Sequence, residues 1–183
     1  MTKQKILLAV SGSISAYKAA DLANQLTKSG YDVHVLMTQA ASQFITPLTL
    51  QVLSKNTVHL DVMEESDPKA INHIELAKTC DLFLLAPASA NTIAHLAHGL
   101  ADNIVTSTAL ALPKDTPKLI APAMNTNMYD NPITKANLSL LKQVGFHELE
   151  PRESLLACGD IGRGALANLD VIVQAVNDTL HTL

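Results

Sequence analysis

The sequence predicts a doubly wound α/β fold, in which a mainly parallel, Rossmann-like sheet carries helices on both faces. Short apolar runs alternate along the 183 residues with segments of helical periodicity, an order typical of strand–helix–strand units. In the first unit, apolar residues 6–10 precede a Ser-Gly-Ser turn and a helical stretch over 16–30, and a second apolar run follows at 33–37. A right-handed crossover between two such strands makes them parallel.

The rest of the chain continues this alternation. Further apolar runs predict buried strands at 82–86, 118–121 and 146–149, whereas alternating apolar and polar residues at 58–63 predict a half-exposed edge strand. Helical patterns, several of them behind a capping residue, lie at 47–53, 72–76, 91–98, 104–112, 133–144 and 169–180. We find no internal repeat or long linker, so we expect one domain over residues 1–183.

Composition excludes several classes of function. The net charge is −4 and the 13 Lys and Arg are scattered, so no basic stripe is present that would bind nucleic acid. Apolar residues 6–10 are too few for a signal peptide or a membrane span, and we expect a cytoplasmic protein with no membrane partner. Its two cysteines are then free thiols, and Cys80, just before a predicted buried strand, is expected in the core.

Loops that follow parallel strands meet at one edge of the sheet, where ligands bind. The loops that start at Ser11, Thr38, Pro87 and Pro122 should therefore converge on one site. Residues 11–15 place backbone N–H groups and hydroxyls at a helix start, which favours a phosphate over a plain serine-capped turn. A side chain at Gly12 would occupy the space of that phosphate. Neither the Gly-x-Gly-x-x-Gly pattern nor a lysine-bearing nucleotide loop is present, which disfavours an ordinary NAD or ATP site.

Three other segments carry unusual chemistry. Small and polar residues at 87–92 suit flat contact with a ring system, although a helix cap alone would explain them. Residues 122–129 combine two methionines, two asparagines and a tyrosine without a helical period, and amides are not needed in a core. Residues 156–164 place Cys158 among three glycines, which suits either a flap that closes over a site or a flexible loop with an incidental thiol.

Histidines offer one candidate base. His73 opens a predicted helix just before the strand that leads to Pro87, where it could take part in acid–base chemistry. His95 and His98 lie three residues apart and could face a metal together, but no further ligand completes a set, and surface or packing roles are favoured.

Six motifs in this order resemble the family of homo-oligomeric flavin-containing cysteine decarboxylases, over nearly the whole chain. They are SGSISAYK at 11–18, HIEL at 73–76, SANT at 89–92, ADN at 101–103, PAMNTNMY at 122–129 and ACGD at 157–160. Each motif is short and weak by itself, whereas their joint order is specific. The family often has Trp in place of Tyr129, and some members have Arg in place of Lys78.

The resemblance implies FMN as the cofactor and assigns roles to individual residues. The FMN phosphate would lie near Gly12, Ser13 and Thr38 and the ring near Ser89, Asn91 and Ala123, with Ile14, Ser15, Ala90 and Thr92 as further contacts. His73 would be the catalytic base, and Cys158 the proton donor on a closing loop at about 151–165. The implied substrate contacts are Asn125, which would bind the substrate carboxylate, Met128, Lys78, Ala157 and Gly159.

Members that act on 4'-phosphopantothenoylcysteine are the most similar, which implies its decarboxylation to 4'-phosphopantetheine in coenzyme A biosynthesis. The flavin would oxidise the cysteine side chain transiently and then return the electrons. A peptidyl-cysteine decarboxylase would stop at the enethiol, and Cys158 argues against it. A flavin prenyltransferase would lack the His73 and Cys158 pattern, and a non-enzymatic regulatory flavoprotein is the alternative from another class.

The resemblance also implies partners. It implies a trimer, or a dodecamer built from trimers, with FMN at a subunit boundary. The ligase that joins cysteine to phosphopantothenate is expected to be a separate polypeptide.

Overall fold

A six-stranded, wholly parallel sheet forms the centre of the molecule. The computed structural model describes residues 3–65, 71–157, 159 and 161–181. The strand order is β3-β2-β1-β4-β5-β6, and the doubly wound α/β fold predicted from the sequence is confirmed. The strands are β1 (Lys5–Val10), β2 (Asp32–Met37), β3 (Val58–His59), β4 (Leu82–Ala88), β5 (Lys118–Pro122) and β6 (Phe146–Glu148).

Helices cover both faces of this sheet and bury two separate apolar cores. Leu8 and Val10 of β1 face the first core, with α1, α2 and α8, whereas Leu7 and Ala9 face the second core, with α3, α4, α5 and α7. Strand side chains alternate between faces, so a strand between two helix layers is apolar throughout. The helices are α1 (Lys18–Lys28), α2 (Pro47–Ser54), α3 (Asn72–Thr79), α4 (Ala90–Ala97), α5 (Ile104–Leu110), α6 (Thr126–Asp130), α7 (Pro132–Gln143) and α8 (Leu169–His181).

Polar side chains at the helix starts satisfy backbone N–H groups that have no partner inside the helix. The Asn103 side chain accepts hydrogen bonds from the N–H groups of Val105 and Thr106, and the Thr106 hydroxyl accepts one from the Asn103 N–H. This capping box starts α5. The ADN motif at 101–103 therefore has a structural role, whatever else it does.

Cys80 lies in the second apolar core. Cys80 is a free, buried thiol, as expected, and burial raises its pKa to about 11.

No helix in the described part of the chain has the length and apolar character that spanning a bilayer requires.

Three segments differ from the sequence-based prediction. The edge strand ends at His59 instead of running to residue 63, because Asp61 accepts a hydrogen bond from the Met63 N–H (2.9 Å) and turns the chain. A short helix, α6, occurs where no helical period was found. Residues predicted as a loop instead form an antiparallel hairpin of β7 (Arg152–Leu155) and β8 (Ile161–Ala165).

Candidate active site

The strand order reverses between β1 and β4, and the loops that leave these two strands are tied together by Ser11. The Ser11 hydroxyl donates to the Pro87 carbonyl (2.8 Å) and accepts from the Ser89 N–H (2.8 Å). Ser11 is fully buried, so solvent does not compete for these bonds. In open α/β sheets this reversal point opens a crevice at the carboxyl ends of the strands, and Ser11 fixes its two walls.

The loop after β5 and the β7–β8 hairpin join the same crevice. The Ser13 hydroxyl donates to the Ala123 carbonyl (3.2 Å), and the Met124 N–H donates to the Gly164 carbonyl (2.9 Å). The phosphate-type turn, the SANT loop, the loop after β5 and the hairpin are thus held in contact by backbone and hydroxyl bonds.

Two glycines of the hairpin allow this close packing. Gly164 has a φ of +146°, and a Cβ on it would overlap the carbonyl oxygen of Met124. A Cβ on Gly162 would overlap the hydroxyl of Thr126. The sequence suggested that glycines here serve mobility, but Gly164 is explained by the close approach of two backbones and Gly162 by the close approach of the Thr126 side chain. The closing movement of the segment at about 151–165 stays a prediction.

The four segments enclose a cleft of about 500 Å³, within the range of small-molecule sites. Ten residues predicted for cofactor or substrate line it: Gly12, Ser13, Ile14, Ser15, Ser89, Ala90, Ala123, Asn125, Met128 and Ala157. Sequence reasoning missed other lining residues with large side chains, among them Tyr17, Lys18, Phe44 and Arg152. Lys18 belongs to the SGSISAYK motif, which was a usable signal, whereas nothing in the local sequence points to Arg152.

Some predicted site residues do not line the cleft in the described part of the chain. They are Thr38, Asn91, Thr92, His73, Lys78 and Gly159. Thr38 is buried, and its hydroxyl accepts from the Ala41 N–H (3.1 Å), so it supports the neighbouring turn. Thr92 is buried and bonds the Ser89 hydroxyl (3.2 Å). Cys158 lies outside the described residues, so its assignment stays a prediction.

One end of the cleft offers hydrogen-bond donors to an anion. Within the described residues, the N–H groups of Gly12 and Ser13 make no hydrogen bond to another protein atom. The Ser13 side chain accepts from the Ser15 N–H (3.3 Å) and caps a 3-10 turn over Ile14–Tyr17. Unpaired N–H groups at such a turn form a concave site for phosphate.

Asn125 belongs to the loop after β5, and its side chain caps α6. Its Oδ1 accepts from the Asn127 N–H (2.8 Å), which fixes the orientation of the amide plane. The Nδ2 group is the donor of the same amide, and Asn125 lines the cleft. The amide therefore adds an uncharged hydrogen-bonding group to the cleft wall.

Tyr129 lies behind this wall and not in the cleft lining. It is 3% exposed, and its hydroxyl donates to Glu148 Oε1 (2.8 Å). Burial and the Glu148 carboxylate raise the pKa of Tyr129. The side chain of Glu148 is 5% exposed and pairs with Lys142 (2.7 Å). Tyr129 therefore anchors α6 through its hydroxyl.

His73 and Lys78 lie on α3 and are not among the described residues that line the cleft. His73 Nδ1 is buried and has no hydrogen-bond partner among the described residues. Lys78 is exposed. The structure therefore does not bring the predicted base into the cleft of its own chain.

His95 and His98 have local partners. His95 pairs with Asp102 (3.1 Å), and His98 bonds the Ala94 carbonyl of its own helix (2.9 Å). These contacts explain both histidines without a metal.

Sequence comparisons support a flavoprotein. Residues 1–181 match the family described as Flavoprotein. A curated relative from Streptococcus mutans, named a probable phosphopantothenoylcysteine decarboxylase, is 70% identical over 98% of this chain and 100% of the relative. The coenzyme A biosynthesis bifunctional protein CoaBC of Bacillus subtilis is 45% identical over 95% of this chain, which spans only 42% of that protein.

Solved structures give the same picture. A mutant of a PPC decarboxylase complexed with pantothenoylaminoethenethiol has a TM-score of 0.90 at 34% identity, covering 98% of this chain and 100% of that one. The FMN binding protein AtHal3 has a TM-score of 0.86 at 32% identity, covering 100% of this chain and 99% of that one. Both likenesses extend over the whole fold.

Proposed function

The chain belongs to the Flavoprotein family, and from that premise we propose that it decarboxylates 4'-phosphopantothenoylcysteine to 4'-phosphopantetheine, a step of coenzyme A biosynthesis. One observation carries the proposal. The phosphate-type turn at Gly12 and Ser13, the SANT loop and the Asn125 wall line one cleft, and the hairpin that leads to residue 158 closes its side. The names of the relatives agree with this chemistry.

The cofactor is a flavin, and we propose FMN. The cleft fits a flavin that carries one phosphate, because it offers free N–H groups at Gly12 and Ser13 and a wall of small residues at Ala90 and Ala123. A bound flavin supplies a reversible two-electron oxidant, so that the cysteine side chain is oxidised before carbon dioxide leaves and reduced afterwards.

Asn125 binds and orients the substrate carboxylate in this proposal. Its Oδ1 accepts from the Asn127 N–H, which holds the amide in the wall of the cleft. A neutral amide suits this position because a second carboxylate would repel the substrate. Met128, exposed beside it on α6, contributes apolar contact.

His73 accepts the proton from the substrate thiol, and it does so from a neighbouring copy of the chain. It lies on α3 and does not line the cleft of its own chain. The cleft rim carries large apolar side chains that are exposed in the single chain, namely Ile14, Tyr17, Phe44 and Leu155. Such a patch is typical of an interface, so we propose a trimer in which each site takes His73 and Lys78 from a partner, with higher assembly into a dodecamer.

Cys158 supplies the proton that completes the reduced product. A thiol is a stronger acid than a serine hydroxyl and therefore suits this step. Its neighbours Ala157 and Gly159 would contact the substrate when the hairpin closes. A separate ligase that supplies the substrate and a cytoplasmic location remain predictions.

Turnover of the purified protein tests the function. We expect a yellow protein that releases carbon dioxide from 4'-phosphopantothenoylcysteine and yields 4'-phosphopantetheine by mass. His73→Asn should keep the fold and the flavin spectrum but lose at least about a hundredfold in rate, the range of one acid–base group. The matched control is His98→Asn, because the His98 ring bonds the Ala94 carbonyl of its own helix. A colourless protein, or a wild type without turnover, would contradict the proposal.

Mixing two inactive variants tests the shared site. In a 1:1 mixture of His73→Asn and Asn125→Asp that is dissociated and reassembled, about a quarter of the sites should combine intact residues from two chains by random assortment. Activity should return to that fraction. If the mixture stays inactive although subunits exchange, His73 does not act across a boundary.

A further inference from the structure

Two cations line the cleft without a carboxylate partner. Lys18 begins α1 and Arg152 begins β7, and both are half-buried residues of the cleft wall. Among the described residues, neither forms an ion pair with Asp or Glu. Arg163, on the other strand of the same hairpin, is by contrast paired with Glu150 (3.0 Å).

Both side chains can donate to an anion in the cleft that they line. The Arg152 Nε donates to the Leu166 carbonyl (3.2 Å), which ties the guanidinium to the backbone and leaves its terminal nitrogens as donors. The Lys18 Nζ lies 5.9 Å from the centre of the Tyr17 ring. Burial and the nearby Arg152 charge lower the pKa of Lys18, as expected for two like charges that share a partly dry site. A doubly charged anion would offset this repulsion.

We propose that Lys18 and Arg152 form the subsite for the 4'-phosphate of the substrate. This rests on the proposed function, which brings two phosphate monoesters into one cleft. The cofactor phosphate takes the N–H groups of Gly12 and Ser13, and the substrate phosphate then needs donors of its own. A fixed guanidinium binds phosphate through two parallel bonds, and an ammonium adds a point charge.

This subsite determines specificity. It separates phosphopantothenoylcysteine from its unphosphorylated form and from a peptide that ends in cysteine, because neither of these carries the phosphate. An unsatisfied pair of cations in the cleft also disfavours such substrates, since burying unpaired charge is costly.

Comparing kcat/KM on two substrates tests the proposal. The substrates are 4'-phosphopantothenoylcysteine and N-pantothenoylcysteine, and the variants are Arg152→Gln, Lys18→Gln and the charge-conserving Arg152→Lys. We expect each Gln variant to lose about tenfold to a hundredfold on the phosphorylated substrate, the size of a hydrogen bond to a charged group. The loss on the unphosphorylated substrate should stay below about threefold. Arg152→Lys should fall between, and the control Arg163→Gln should match the wild type on both.

Flavin binding and stability complete the experiment. FMN and riboflavin affinities, measured by fluorescence, should be unchanged in every variant. If Arg152→Gln weakens FMN but not riboflavin, the cations hold the cofactor phosphate and the proposal is overturned. If Arg152→Gln lowers the melting temperature, the proposal is judged by the kcat/KM values of Lys18→Gln and Arg152→Lys. Wild-type values of both variants on the phosphorylated substrate would then overturn it.

Turnover of the two substrates by the wild-type protein distinguishes failure of the phosphate subsite from failure of the proposed function. Equal turnover of both substrates by the wild type would overturn the subsite and leave the decarboxylase function standing. Turnover of neither would refute the function itself.

Discussion

Gly12→Ala is expected to destabilise the protein through one contact, with the neighbouring turn. A Cβ at Gly12 would lie 2.6 Å from the Cβ of Ala40 and 3.3 Å from its carbonyl carbon. Carbon atoms in contact are normally about 3.5–4.0 Å apart, so the two methyl groups would overlap by roughly 1 Å. The space next to Gly12 is thus filled by Ala40, whereas the sequence alone suggested that a phosphate would fill it.

Two effects of opposite sign determine how much Gly12→Ala changes the free energy of unfolding. Overpacking of this kind costs about 1–3 kcal/mol, and the lower chain entropy of unfolded alanine returns about 0.4–1 kcal/mol. The clash prevails, and we expect a loss of roughly 1–2 kcal/mol in the free energy of unfolding. For a domain of this size that lowers Tm by about 2–8 °C.

Removing the second methyl group is the decisive control. Ala40→Gly alone should cost about 0.5–1 kcal/mol through backbone entropy, but combined with Gly12→Ala it removes the overlap. A double-mutant cycle by urea unfolding should then give a coupling energy of about 1–2 kcal/mol in favour of the double variant. FMN titration of the same four proteins shows whether affinity returns with stability.

Three results would refute this reasoning. Unchanged stability of Gly12→Ala would mean that the turn at Ala40 yields at no cost. A coupling energy near zero between Gly12→Ala and Ala40→Gly would mean that the added methyl group does not clash with Ala40. Stability that returns without FMN affinity would show that the methyl group at residue 12 intrudes on the phosphate, as the sequence first suggested.

Three further predictions concern the site and its support. Asn125→Asp should keep α6, because Asp is an equally good cap, and keep the flavin, but lose turnover by setting a carboxylate against the substrate carboxylate; near-normal turnover would contradict the assignment. Cys158→Ser should decarboxylate but stall with bleached flavin and an enethiol under anaerobic conditions, followed by absorbance and product mass; 4'-phosphopantetheine at the wild-type rate would remove Cys158 from the mechanism. Tyr129→Phe should lower the free energy of unfolding by about 1.5–3 kcal/mol, because Glu148 loses a buried hydrogen bond to a charged group, while FMN affinity stays the same; a urea transition at the wild-type midpoint would show that the bond adds nothing.

The sheet could be predicted from the sequence because its strands are buried on both faces. Leu82–Ala88 is apolar throughout and fully buried, and such a run between helical periods is specific to an α/β core. The edge strand was overestimated for the opposite reason. Its alternating pattern continues past His59, but one side-chain bond from Asp61 turns the chain, and periodicity does not register such a bond.

The hairpin was missed because its glycines have a tertiary cause. A sequence with three glycines around a cysteine looks mobile when it is considered alone. Gly162 and Gly164 instead allow β8 to lie against Met124 and Thr126, residues that are distant along the chain. Only the packed structure distinguishes a glycine needed for close approach from a glycine needed for movement.

Some site residues could likewise be predicted from the local sequence, whereas others depend on how distant segments fold together. The side chains of Ser13 and Asn125 belong to loops at strand ends, where local sequence and the topology of the sheet together predict a site. Lys18 and Arg152 line one cleft only because α1 and the hairpin fold against it, so nothing in the local sequence indicates that these two charges share a site, although Lys18 belongs to a predicted motif. The chemistry of the loops could therefore be predicted, whereas the electrostatics that we assign to substrate choice could not.

The separation of His73 from Asn125 gives oligomerisation a catalytic meaning in the proposed function. The helices α3, which carries His73, and α6, which Asn125 caps, both pack in the second core, but Asn125 lines the cleft and His73 does not. To bring His73 into the cleft of its own chain, α3 would have to leave this packing. A second copy can supply the missing group without any such movement, and covering the apolar rim at Ile14 and Leu155 would drive that association. The same contact would exclude water from the flavin, so assembly and chemistry would depend on one surface.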